Sequence, residues 1–158
     1  MSTPSVTIIK NLVLDWGTNE KKEVTIAKFY RHWDGYPSGH GADIASALVD
    51  AALTKPEKLM IGDEEYVRAM LNNRNWCQHF FKELCKKNID IEFVDADDKI
   101  YADYTYVITG EYANYGGKLN IDAEDYLNGI NIKVYRGDEG ENLLFDGNAS
   151  KYVEWGAL

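Results

Sequence analysis

The chain has 158 residues, of which 45% are hydrophobic and 27% charged, and its formal net charge at pH 7 is −9. This length and composition fit a single globular domain with one hydrophobic core, spanning residues 1–158. The negative charge argues against nucleic acid or an anionic membrane surface as a direct partner, because binding to phosphate needs clustered Lys and Arg.

The first two strands are expected to form an antiparallel hairpin. Val6–Trp16 is rich in branched aliphatic residues, and Val24–Trp33 follows it after the polar turn GTNEKKE. In the second strand, Ile26 and Phe29 fall on opposite faces although both are apolar. Either both faces of this strand are covered, or a β-bulge near Lys28 shifts the alternation.

Two helical segments follow. Ala42–Leu53 has apolar residues at helical spacing and predicts an amphipathic helix. Asp63–Lys87 begins with acidic residues and ends with lysines, as the helix dipole favours. The weak helix formers at 72–75 leave open whether this segment is one kinked helix or two short ones.

Strand patterns return in the last third of the chain. They cover Ile89–Val94, Tyr101–Tyr112, Leu119–Ile121, Asn131–Tyr135 and Leu143–Phe145. Ser150–Trp155 is consistent with either a helical turn or a short strand. This order predicts an α+β fold, in which an antiparallel sheet of the N-terminal hairpin and the C-terminal strands is covered by two helices.

The cysteines and the N-terminus indicate the compartment. Cys77 and Cys85 are eight residues apart in a helical pattern. Their Cα atoms would then be about 12 Å apart, beyond the reach of about 7 Å for a disulfide, so reduced thiols are expected. The N-terminus lacks the pattern of a signal peptide, and no apolar run is long enough to span a membrane. Together these features predict a cytoplasmic protein.

Chemically versatile residues are concentrated in the segment FYRHWDGYPSGHG, at 29–41. It contains two of the three histidines, one of the four tryptophans and three of the 13 glycines. The candidate ligand-binding residues are Arg31, His32, Asp34, Tyr36 and His40. We assign no catalytic residue, no metal ligand and no cofactor.

A metal site is one alternative for this segment. His32, Asp34 and His40 would make an open ligand set for zinc or iron, and His79 could add a fourth ligand. Against it, the chain has neither an HExxH nor a CxxC pattern. Asp34 also suits a turn, where aspartate readily bonds neighbouring backbone groups.

Two further alternatives use the same residues. The GHG sequence precedes a helix, whose first N–H groups suit phosphate or carboxylate, and Arg31 would add positive charge, although the spacing matches neither a P-loop nor GxGxxG. His32 with Asp34 or Asp43 could act as an acid–base pair, but no serine or cysteine belongs to a nucleophile signature. The alternative hypothesis is therefore a small enzyme or an anion- or metal-binding protein that uses Arg31, His32, Asp34 and His40.

The competing interpretation of the segment is structural. The turn at 35–41 would fix the angle between the second strand and the first helix, because Pro37 restricts one dihedral angle and Gly41 removes a side chain. It predicts that Gly41→Ala destabilises the fold and that His40→Ala is nearly neutral. Trp33 is expected to be a core anchor, so that Trp33→Ala would cost roughly 3–5 kcal/mol.

An interaction surface is the remaining candidate. The chain has 11 tyrosines, and five of them lie in Tyr101–Tyr115. Tyrosine supplies large contact area at low entropic cost and is enriched at interfaces. A tyrosine-lined sheet face that packs internally is the competing explanation. The acidic loop Asp95–Asp98 fails the EF-hand spacing and is interpreted as solvated.

The motifs YRHWDGYPSGHG, YADYTYVI and LLFDGN resemble sequences of an uncharacterised family of small phage- and prophage-encoded hypothetical proteins. The resemblance is dense over Tyr30–Leu53 and thinner over Tyr101–Asn148. It implies a genomic context, an infected or lysogenic bacterial cell, and it implies no catalytic residue.

These observations lead to one hypothesis about function. The chain is expected to be a small phage or prophage accessory protein in the bacterial cytoplasm, which binds a host or phage protein or a small ligand and serves counter-defence or host modulation. Whether it forms a homo-oligomer stays open. If Arg31, His32, Asp34 and His40 converge in a concave pocket, the enzyme hypothesis gains; if they are buried in packing, it loses.

Overall fold

The structure of the protein, a computed structural model, describes residues 2–14, 17–53, 75–111 and 123–156. These residues form a mixed sheet of six strands together with four α-helices. The strands are β1 (Ser5–Leu14), β2 (Lys21–Arg31), β3 (Glu92–Val94), β4 (Tyr104–Glu111), β5 (Ile130–Arg136) and β6 (Asn142–Gly147). The helices are α1 (Ala42–Leu53), α2 (Asn75–Cys85), α3 (Ala123–Asn128) and α4 (Ala149–Gly156). A π-helical turn, Pro37–Gly41, leads into α1.

The strand order across the sheet is β3-β2-β1-β4-β5-β6. Neighbouring strands are antiparallel except β1 and β4, which run parallel from the Ser5–Tyr104 pair to the Leu12–Glu111 pair. The predicted α+β class and the N-terminal hairpin are confirmed. The parallel pair was not predicted, because a strand pattern does not encode the partner beside which the strand will lie.

Of the two alternatives that the irregular alternation of β2 left open, the β-bulge near Lys28 is present. The pairing with β1 shifts between Ile9 and Lys10, which leaves Ile26 as the extra residue, two positions before Lys28. Because of the bulge, Val24 and Phe29 lie on the same face of the sheet although they are five positions apart, since Val24 pairs with Asn11 and Phe29 with Thr7. Phe29 is fully buried on that face, and Ile26, the extra residue, is 44% exposed.

The core lies between one face of the sheet and the helices, with α1 at its centre. α1 contacts α2, α3 and α4, so more helices cover the sheet than the two that were predicted. The largest side chains in the core are Trp76, Tyr106, Tyr126, Tyr152, Phe29 and Phe80. Burial of such large apolar surfaces stabilises the folded chain.

Several sequence predictions can be compared directly with the described residues. α1 has the predicted bounds. Both cysteines are free thiols as expected; Cys77 is buried, which raises its pKa to about 12, and Cys85 is exposed. No helix in the described ranges is long and apolar enough to cross a membrane. The predicted strand at 119–121 and residues 63–74 of the predicted helix lie outside the described residues.

Some tyrosines of the Tyr101–Tyr115 segment are exposed, as an interaction surface would require, and others are packed in the core. Tyr106 is fully buried, Tyr104 is half-buried and Tyr101 is 82% exposed. Tyr112 and Tyr115 lie outside the described residues. Within the described ranges, the tyrosine-rich segment of β4 therefore contributes mainly to the core.

Candidate functional site

A cleft of about 410 Å³ lies beside the end of β2. One wall is formed by residues 30–34, and the other by residues 87–92, which connect α2 to β3 and include the first residue of β3. Of the five predicted site residues, Arg31, His32 and Asp34 line this cleft, whereas Tyr36 and His40 do not. The structure thus brings three of them together around one concave surface.

The guanidinium group of Arg31 is fixed by hydrogen bonds to Asp43 and His40. Its side chain is 13% exposed, and its Nη1 donates to Oδ2 of Asp43 over 2.8 Å. The same nitrogen also donates to Nδ1 of His40 over 3.2 Å. Asp34 is more distant, with 4.0 Å between Oδ2 and Nη2 of Arg31. Asp43, in the first turn of α1, is therefore the carboxylate that balances the charge of Arg31.

His40 is fully buried behind Arg31, and its protonation state follows from its partners. A guanidinium can only donate, so Nδ1 of His40 accepts and the ring proton lies on Nε2. Nε2 then donates to Oγ1 of Thr7, 2.7 Å away. Burial lowers the pKa of His40 to about 3, and the charge of Arg31 contributes to this. Both ring nitrogens are occupied, so the structure predicts that removal of the His40 side chain costs stability, in contrast to the sequence-based expectation that His40→Ala is nearly neutral.

The contact between Thr7 and His40 resembles a nucleophile with its general base, but the proton is in the wrong place. A base must present an unprotonated nitrogen to the hydroxyl it activates. Here Arg31 occupies the accepting nitrogen, and the one that faces Thr7 carries the proton. Thr7 is itself fully buried, which removes it from substrate as well.

Trp33 is 53% exposed, which contradicts the expectation of a core anchor. The last residue of β2 paired with β1 is Arg31, so the two-residue alternation no longer decides the direction of side chains beyond it. The ring of His32 lies edge-on to that of Trp33, with 4.7 Å between centroids, and Nδ1 of His32 is 2.8 Å from the hydroxyl of Tyr30. These three residues form an aromatic wall of the cleft.

Asp34 reverses the chain directly after this wall. Its φ of 57° lies in the left-handed region, which aspartate tolerates better than most residues. Its carbonyl accepts from the N–H of His40 over 2.8 Å, and Oδ1 accepts from the hydroxyl of Tyr36 over 3.2 Å. The negative charge of Asp34 raises the pKa of Tyr36. Tyr36 therefore supports the turn from outside the cleft.

Two buried tyrosine hydroxyls bond carbonyl groups of the turn at 35–41 from its core side. Tyr106 of β4 donates to the carbonyl of Gly35 over 2.7 Å, and Tyr152 of α4 donates to the carbonyl of Pro37 over 2.7 Å. A Cβ atom at Gly41 would overlap the phenol oxygen of Tyr152. These contacts support the structural interpretation of the turn. Sequence reasoning missed both tyrosines, because no local signal links them to a turn far away in the chain.

The facing wall contains residues that sequence reasoning did not select. Lys87 donates to Oγ of Ser46 over 2.9 Å, and its Nζ is 3.7 Å from a carboxylate oxygen of Asp50. Asp90 and Glu92 are exposed and line the cleft. The alternation of apolar and acidic residues in IDIEFV was the signal that could have indicated them, since it directs the acidic side chains outward.

The alternative chemistries find little support in this arrangement. Among the described residues, no three His, Cys, Asp or Glu side chains are grouped to hold a metal ion. His79 is almost buried, which lowers its pKa, and it does not line the cleft. The N–H groups of Gly39 and His40, which an anion would need, already donate to the carbonyls of Tyr36 and Asp34.

The site therefore presents aromatic and acidic groups to solvent and keeps its arginine and its buried histidine in internal contacts. Comparisons with protein-family models, curated proteins and solved structures give no match for this chain.

Proposed function

We propose that the protein acts by binding a partner protein, and that the cleft beside Trp33 is the contact site. The observation that supports this is the exposure of Trp33, at 53%, next to a turn held by buried hydrogen bonds. Tryptophan is enriched among the residues that contribute most to binding energy. A ring on a pre-organised turn loses little conformational entropy when a partner covers it.

The alternative, a small enzyme or an anion- or metal-binding protein, has weaker support. Arg31, His32 and Asp34 do line a pocket, as that hypothesis requires. His40, however, is buried and neutral with its proton on Nε2, and the charge of Arg31 is balanced by Asp43. What remains exposed in the cleft suits recognition better than proton transfer.

The setting of this function is part of the proposal. Resemblance to phage- and prophage-encoded proteins supports a bacterial host cell and its cytoplasm as the location, and a host or phage protein as the partner. The net charge of −9 supports a partner other than nucleic acid or an anionic membrane. Counter-defence or modulation of the host is the role consistent with this setting.

The test is Trp33→Ala, with Tyr101→Ala as the matched control. Both aromatic side chains are exposed, but only Trp33 lines the cleft. Tagged proteins would be expressed in bacterial host cells, and the proteins that co-purify would be measured by quantitative mass spectrometry. Trp33→Ala is expected to lose a partner that wild-type protein and Tyr101→Ala retain.

Thermal unfolding decides whether such a loss reflects binding. An exposed substitution changes stability by about 0.5 kcal/mol or less, or roughly 1–2 °C in Tm for a chain of this length. Trp33→Ala should stay within this range, in place of the 3–5 kcal/mol expected for a core anchor. Undiminished recovery of every partner by a folded Trp33→Ala protein would contradict the proposed function.

A further inference from the structure

The positive charges at the cleft are already paired within the protein. Arg31 forms its ion pair with Asp43 at 2.8 Å. Lys87, on the facing wall, is 3.7 Å from Asp50 and bonded to Ser46. An anionic ligand would therefore have to compete with these carboxylates for both cations. The cleft offers little positive potential to phosphate or carboxylate.

The negative charges are in excess. Asp90 and Glu92 line the same cleft, and in the part of the chain that the structure describes neither forms an ion pair. The side chain of Asp34 is 60% exposed, and its Oδ2 lies 4.0 Å from Nη2 of Arg31. Three carboxylates thus surround a concave space without full compensation by the protein, and they favour a cationic ligand.

The aromatic wall is a second, independent feature that favours a cationic ligand. Trp33 has the largest π surface of any side chain, and its face attracts ammonium and guanidinium groups. Trp33 is half-exposed in the cleft, and the edge-on contact with His32 orients its ring. An aromatic face beside carboxylates recognises both the charge and the apolar stem of a lysine or arginine side chain.

We propose that the cleft binds a lysine or arginine side chain from a basic segment of the partner protein. This inference rests on the proposed function and specifies the chemistry of its ligand. The apolar stem lies against Trp33, and the cationic head lies between Asp34 and the carboxylates of Asp90 and Glu92. The net charge of −9 assists by attracting basic partners during the encounter.

The experiment uses a short lysine- and arginine-rich peptide as probe, and a peptide of the same length with glutamate at the basic positions as its negative control. Binding to the full chain would be followed by NMR titration and calorimetry at low ionic strength. The basic peptide is expected to bind and to shift the Trp33 indole N–H resonance, whereas the acidic peptide leaves it unchanged.

Two double variants that remove the same number of charges distinguish the effect of the cleft carboxylates on binding from the effect of the protein's net charge. Asp90→Asn with Glu92→Gln removes two negative charges from the cleft, and Asp97→Asn with Glu154→Gln removes two exposed ones elsewhere. The cleft variant is expected to bind the basic peptide about tenfold more weakly, which corresponds to about 1.4 kcal/mol, and the control within about twofold. Equal weakening in both would overturn the cleft as the site.

Two further outcomes distinguish this inference from the proposed function. If the basic peptide does not bind while Trp33→Ala still loses its cellular partner, the ligand chemistry is wrong and the binding function stands. If the peptide binds at the cleft while Trp33→Ala retains every partner, the binding function is wrong and the preference of the cleft for a cation stands.

Discussion

At the scale of single residues, one hydrogen-bonded chain holds the buried histidine of the 29–41 segment in a structural role. Asp43, Arg31, His40 and Thr7 are connected in that order by contacts of 2.8, 3.2 and 2.7 Å. Because arginine has no acceptor, the ring proton of His40 lies on Nε2 and is donated to Thr7. The histidine is thereby a structural donor that links β1 to the start of α1.

His40 should stay neutral in mildly acidic solution. Its pKa is lowered to about 3 by burial and by Arg31, against about 6.5 for an unperturbed histidine. At pH 5, long-range ¹H–¹⁵N correlation spectra are expected to show an unprotonated Nδ1 and a protonated Nε2. A doubly protonated ring at this pH would contradict the assignment of Arg31 as its hydrogen-bond donor.

The same lowered pKa gives His40 a defined contribution to stability. The unfolded chain binds a proton at this residue below pH 6.5, and the folded chain does so only near pH 3. The full contribution of neutral His40 to the free energy of unfolding is therefore present above pH 6.5. It is lost as the pH falls from about 6.5 towards about 3, by up to about 1.4 kcal/mol per pH unit. His40→Gln keeps an acceptor for Arg31 and a donor for Thr7 without titrating.

Urea unfolding at several pH values would therefore separate the variants. His40→Gln is expected to flatten the pH dependence between pH 6.5 and 4, relative to wild type.

His40→Ala should lower stability by about 2–4 kcal/mol at pH 7, because it leaves a cavity and removes the partner of two buried polar groups. A nearly neutral His40→Ala would restore the view that this side chain is dispensable.

At the scale of elements, the junction from β2 to α1 is held by side chains from β4 and α4. Tyr106 and Tyr152 each bond a carbonyl of the turn, so the sheet and the C-terminal helix both determine its path. The rigid turn, in turn, places His32 and Trp33 at the cleft. The positions of His32 and Trp33 in the cleft thus depend on packing several residues away from it.

Gly41→Ala tests this junction. The added methyl group would overlap the Tyr152 phenol, whose hydrogen bond to Pro37 prevents an easy shift. We expect a loss of about 2–4 kcal/mol by chemical denaturation. Ser38→Ala, at an exposed position of the same turn, is the matched control and should change stability by about 0.5 kcal/mol or less. Equal stability of the two variants would show that the junction tolerates displacement.

At the scale of the whole molecule, β1 and β4 are the two central strands of the described sheet. β1 and β4 each have a strand on both sides, whereas β3 and β6 lie at the edges of the described sheet. The helices cover one face, and α1 contacts each of the other described helices. The cleft lies near the β3 edge, so its facing wall is supported by a strand of only three residues.

Hydrogen exchange should follow this arrangement. Amides of β1 and β4 that bond neighbouring strands are expected to exchange only through global unfolding. Amides of β3 and β6 that bond β2 and β5 should exchange sooner, through local opening at the edges. Equal protection of β6 and β4 in native-state exchange would contradict this order of stability.

The elements themselves follow from local sequence. α1 has the predicted bounds, and the strand patterns of β1, β2, β4, β5 and β6 were recognised, because side-chain periodicity and turn residues act within a few positions. The bulge in β2 was one of the two alternatives that its irregular alternation left open. α3 was not predicted, and the parallel pairing of β1 with β4 carries no local signal.

The candidate site was decided only by tertiary structure. The sequence indicated which segment was unusual, and three of its five selected residues line the cleft. Local pattern could not show that His40 is buried, that Trp33 is exposed or that Asp90 and Glu92 lie across from it. Each of these depends on groups far along the chain, such as Thr7, whose positions follow from strand pairing and core packing and so cannot be inferred from neighbouring residues.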